Sequence, residues 1–134
     1  MRIHATWLIL AMALAGCAKA NAATVDPNND FDCGVTTGFF REVARIKGDT
    51  PDDTRQKLYV LYGWYAAKWN HDHPGGKTAE LRQHEIAMVT AMGKDPHAYR
   101  DAGQALISCT DRATADPKFD RFARYVQQHD PNAR

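Results

Sequence analysis

Apolar residues recur at helical spacing in five separate stretches of this chain, each bounded by residues that start or stop helices. From about Asp32 to Lys47, Val35, Phe39, Phe40, Val43 and Ile46 share one stripe, and Gly48 ends it. From about Pro51 to Asn70, Leu58, Leu61, Tyr62, Tyr65 and Trp69 share a face, while Tyr59, Val60 and Trp64 carry the apolar surface further round. A helix apolar nearly all round belongs at the centre of a fold. The third stretch, about Lys77 to Met92, carries Leu81, Met88 and Met92, flanked by Ile86 and Val89. The fourth, about Pro96 to Ala113, aligns Tyr99, Ala102, Leu106, Cys109 and Ala113. The fifth, about Pro117 to Gln128, aligns Phe119, Phe122, Ala123 and Val126. No stretch alternates at the period of a strand, so the pattern predicts an all-α fold, a small bundle of about five helices.

The punctuation agrees. Thr50-Pro51, Asp95-Pro96 and Asp116-Pro117 each place a capping side chain before a proline. The cap oxygen accepts from an orphan backbone N–H, and proline in the first helical position loses no hydrogen bond. Asp52 and Asp53 add negative charge where the dipole of a helix starting after Thr50 favours it.

The beginning of the chain follows a different pattern. A short basic start, Met1 to His4, precedes the wholly apolar run Ala5–Leu14, too short for a spanning helix, which needs about 20 residues. That is the form of an export signal occupying residues 1–22. Leu14-Ala15-Gly16-Cys17 has the form of a bacterial lipobox, which implies cleavage before Cys17 and a lipid on its sulfur. Ala20-Asn21-Ala22 is the competing site and would release a soluble protein; the lipobox is the preferred reading. Residues 23–30, polar and rich in Pro and Asn, read as a flexible tether, and residues 31–134 as a single helical domain. The expected location is the periplasm, on a membrane through the lipid.

Export changes the meaning of the cysteines. Once Cys17 is lipidated or removed, Cys33 and Cys109 remain, an even pair in an oxidising compartment. They are predicted to form a disulfide joining the first and fourth helices.

Charge excludes one class of partner. The chain has 17 Lys and Arg against 16 Asp and Glu, and cleavage before Cys17 would remove Arg2 and balance them. No basic field calls for nucleic acid.

The most site-like segment is Trp69-Asn70-His71-Asp72-His73-Pro74-Gly75-Gly76. Imidazole and carboxylate suit a transition metal, and His84 could add a further ligand to His71, Asp72 and His73. The simpler account is a helix end, where Lys68, His71 and His73 meet unpaired carbonyls before the Pro-Gly-Gly turn; it takes precedence. His84-Glu85 begins like a zincin helix, but Met88 stands where a second histidine is required. Ser108 is the chain's single serine and lacks a nucleophile-elbow context. The aromatic run Leu58–Tyr65 reads chiefly as core, with Tyr62, Trp64, Tyr65 and Trp69 as candidates for an apolar interaction surface.

The segment Ala105–Asp111, with Phe119 and Tyr125, resembles the second-cysteine helix of small acid-stress periplasmic chaperones. The same tail resembles helical, disulfide-bonded immunity proteins of secreted bacterial toxins. Only the C-terminal part is covered, and no residue role carries over. The functional expectation is a non-enzymatic envelope module that binds a protein partner or an apolar ligand. The alternatives are a metal-binding protein, and a stress chaperone or immunity-like protein.

Overall fold

Five helices follow one another, with no strand among the described residues, in the computed structural model of the chain. It describes residues 24–76 and 79–133, the side chains of residues 79–81 and 133 excepted. The export signal, both cleavage sites, Cys17, the expected start of the third helix at Lys77 and the side chain of Leu81 lie outside the described residues.

Helix α1 (Asp30–Lys47) starts earlier than the pattern predicts. Asn29 caps it, its Oδ1 accepting from the backbone N–H of Phe31 at 2.8 Å and of Asp32 at 3.2 Å. The preceding turn is tied down as well. The Asp26 N–H donates to Asp32 Oδ2 at 2.9 Å, and Val25 packs on the core beside Phe39 and Trp69. The expectation of a tether over residues 23–30 is therefore corrected for its described part. Asn and Asp side chains satisfy the orphan donors of the helix start and fold the linker onto it. Gly48 closes α1 in the left-handed conformation at φ 73°, its N–H donating to the Ala44 carbonyl.

Helix α2 (Asp52–Asp72) follows after a short connection. It buries Leu58, Val60, Leu61, Trp64 and Tyr65, and its most extensive contact is with α1. That contact is close because Gly34 and Gly38 face it. A Cβ at Gly34 would lie 3.6 Å from the Tyr65 Cβ, and one at Gly38 would lie 3.1 Å from the Tyr62 ring. Thr50 does not cap α2; Pro51 occupies the N-cap position and no side chain bonds there.

Helix α3 (Ala79–Lys94) packs on α1 and α4 through Met88 and Met92, which join Phe31, Val35 and Ala102 in one cluster. Helix α4 (Pro96–Ala115) is capped as predicted, Asp95 Oδ1 accepting from the His97 N–H at 2.8 Å. Asp116 instead closes a turn: its Oδ1 accepts from the Lys118 N–H, and α5 (Phe119–His129) begins two residues beyond Pro117. Helix α5 lays its predicted stripe on α2, with the rings of Phe119 and Phe122 each 5.5 Å from Trp64.

A second core cluster surrounds the predicted disulfide. Cys33 and Cys109 are bonded, their Cα atoms 5.7 Å apart and both residues fully buried. The bond ties the first turn of α1 to the middle of α4.

Candidate functional site

The histidine segment ends a helix. His73 follows α2, its backbone N–H donating to the Trp69 carbonyl at 2.9 Å and its Nδ1 facing the same oxygen at 3.1 Å. Its ring stacks on the Trp69 indole with centroids 3.4 Å apart. His71 is exposed beside Asp72. His84 is drawn elsewhere: its Nε2 lies 3.1 Å from Oδ1 of the buried Asp32, and its ring rests on Phe31. No group of three or more His, Cys, Asp or Glu side chains with the arrangement of a metal site occurs among the described residues. The structure thus does not bring His71, Asp72, His73 and His84 together. The three imidazoles face one backbone carbonyl, that of Trp69, and two separate carboxylates, Asp72 and Asp32.

The four aromatic candidates divide. Tyr65 is 1 % exposed and Trp64 is buried, so both are core and neither offers a surface. The Tyr65 hydroxyl donates to the Cys109 carbonyl, and its burial raises the phenol above its ordinary value of 10.0, with the Arg112 charge opposing. Arg112 itself lies over the Tyr65 ring, donates to Asp30 at 2.7 Å and reaches the Cys33 sulfur with Nη2 at 3.3 Å. Tyr62 and Trp69, on the other edge of α2, stay partly exposed.

Those two rings form one wall of an open groove of about 640 Å³. Because α3 packs on α1 and α4, a gap remains over α1 between α2 and α3. The floor is the outer part of the α1 stripe, Val35, Phe39 and Val43, with Ile46 at its far end. Tyr62, Ala66 and Trp69 line it from α2, and Glu85 and Val89 from α3. Ile46 is 69 % exposed, which the stripe on α1 does not predict. The α1 stripe is wider than its neighbours can cover.

Beside the groove lies a second, polar cavity of about 800 Å³ lined by Arg41, Arg45, Arg55, Gln56, Tyr59 and Asn132. Gly38, Arg41 and Glu42 line both hollows. The Arg41 guanidinium lies over the Tyr59 ring at 4.7 Å and the Tyr62 ring at 5.5 Å. Its carboxylate neighbours are otherwise engaged. Glu42 accepts from Arg45 Nε at 2.9 Å, and that bond holds its pKa below the usual value. Asp130 accepts from the Tyr59 hydroxyl, which lowers the acid and raises the phenol.

Sequence reasoning named Tyr62 and Trp69 but missed Phe39, Arg41, Val43, Ile46 and Val89. The available signal was the five-residue α1 stripe, with Arg41 between its members Phe40 and Val43 in the sequence. No family model, curated protein or solved structure matches the chain.

Proposed function

We propose that this chain is an exported cell-envelope protein that acts by binding, with the groove between α1, α2 and α3 as its binding surface. The observation that carries the reading is an open apolar hollow whose wall and floor come from three helices. Binding sites are concave, mostly apolar and fringed by a few polar groups, and about 300–1,000 Å³ is their usual size. The cell-envelope assignment rests on the basic start, the apolar run and the lipobox form of Leu14–Cys17, and a disulfide in the folded domain is compatible with an oxidising compartment. A lipid on Cys17 would hold the domain at a membrane.

The test places a photo-crosslinking amino acid at Tyr62, on the groove, or at Tyr125, exposed on α5. Irradiation in native envelopes is expected to give an adduct of defined mass at position 62 that Val43→Asp removes and that position 125 does not give. Identical adducts at both positions, or none at 62, would overturn the reading.

A further inference from the structure

The groove has a polar end, and its charges are not all matched. Three carboxylates line it, and each has a cation of its own. Asp30 pairs with Arg112 at 2.7 Å and Lys68 at 3.8 Å, Glu42 with Arg45, and Glu85 with Arg82 at 3.7 Å. Arg41 differs: it makes no ion pair with a described carboxylate and rests on two tyrosine rings instead. Its charge acts on Glu42 and Asp130 only at longer range, and its guanidinium is a planar fork of donors matched to a carboxylate. It lines both the apolar groove and the arginine-lined cavity.

An occupant complementary to this arrangement is apolar along its length and anionic at one end. A partner helix laid in the groove would seek charge along both edges, where the carboxylates are already neutralised. Resting on the binding reading above, we infer that the groove takes a long-chain carboxylate. Its hydrocarbon chain lies along Phe39, Val43, Tyr62 and Val89, and its head group meets Arg41. Arg45 and Arg55 also line the cavity around the head, each paired with a carboxylate, Glu42 and Asp52, which leaves Arg41 to meet the head group. Burying the chain supplies most of the affinity, at about 0.8 kcal/mol per methylene removed from water, while Arg41 selects the head.

The test titrates the disulfide-intact full chain with palmitate, methyl palmitate and hexadecyltrimethylammonium, each below its aggregation concentration. The readout is the change in tryptophan fluorescence that Trp69→Phe removes, since the Trp69 ring lines the groove. Palmitate is expected to bind with a stoichiometry of one, and at least about tenfold more tightly than the ester or the cation, the size of one charge-assisted pair. Arg41→Gln should remove that preference and leave the ester unchanged. Arg41→Lys should restore part of it, a result that loss of folding cannot mimic. Arg124→Gln, on α5, should change nothing. Equal binding of all three amphiphiles would overturn the assignment of the head group. Absence of amphiphile binding together with a protein adduct at position 62 would overturn this inference and leave the groove as a binding surface. Absence of both would overturn the two together.

Discussion

Tyr62 and Tyr65 stand one helical turn apart on α2, yet they meet opposite environments. Both lie in one apolar run, and nothing in the run separates them. The difference comes from α1: Gly34 admits Tyr65 to the core, and Gly38 lets the Tyr62 ring lie across the helix toward the groove. The buried hydroxyl of Tyr65 found the Cys109 carbonyl, and this bond has a pH signature. The folded state favours the neutral phenol, so its pKa is raised above the unfolded value. The resulting stability is fully present below about pH 10 and is lost as pH rises through the higher folded value. Tyr65→Phe is expected to cost about 1 kcal/mol at pH 7 and to flatten the decline in stability above pH 10. Urea midpoints for the two proteins between pH 7 and 11 check this; parallel curves would contradict it. His84 teaches the same lesson from the polar side. Its partner Asp32 is buried 52 positions earlier in the chain, a pairing no local pattern reveals.

At the scale of elements, type was legible and boundaries were less so. All five helices follow from periodicity, because a stripe at 3.6-residue spacing has few other structures in which to bury itself. Of the three cap-proline signals, only Asp95-Pro96 caps as predicted. Asp116 serves the turn between α4 and α5, since a side chain that can cap a helix can equally close a turn. Helix α3 is anchored on α1 and α4 by Met88 and Met92 and by the His84–Asp32 pair, and among the described residues it makes no close backbone contact with α2. Gly93 lies in its last turn with open space where a Cβ would go. Gly93→Ala is therefore expected to stabilise the protein by about 0.5–1 kcal/mol, seen as a raised denaturation midpoint. Met88→Ala should cost about 2–5 kcal/mol, because the side chain is fully buried. Hydrogen exchange should then show α3 amides opening well ahead of those of α1 and α2. Uniform exchange across the bundle would show that α3 is no separate unit.

For the whole molecule the decisive contact is covalent. The disulfide closes a loop of 76 positions between α1 and α4. In the chain-entropy account, such a loop contributes about 4.5 kcal/mol by restricting the unfolded state. Domains of this size are stable by only about 5–15 kcal/mol, so the bond is a large share of the total. The double variant Cys33→Ala, Cys109→Ala is expected to lose about 4 kcal/mol or more, with the far-ultraviolet spectrum still helical where it folds. Denaturant titration of the variant, and of the parent with and without reductant, measures the loss. A change below about 1 kcal/mol would mean that packing alone holds α1 to α4.

Helix content was determined by the sequence itself through local periodicity, and the cysteine pairing through a count that has one solution once Cys17 is set aside as the expected lipid site; the central place expected for α2 was not, since among the described residues α4 is the helix that meets all four others. The groove was decided by tertiary structure. Whether Phe39, Val43 and Ile46 are covered depends on where α3 comes to rest, and that position depends on contacts made across the bundle by Met88, Met92 and His84. A stripe of apolar residues states that a face needs covering; only the packed arrangement of helices shows how much of it is left open.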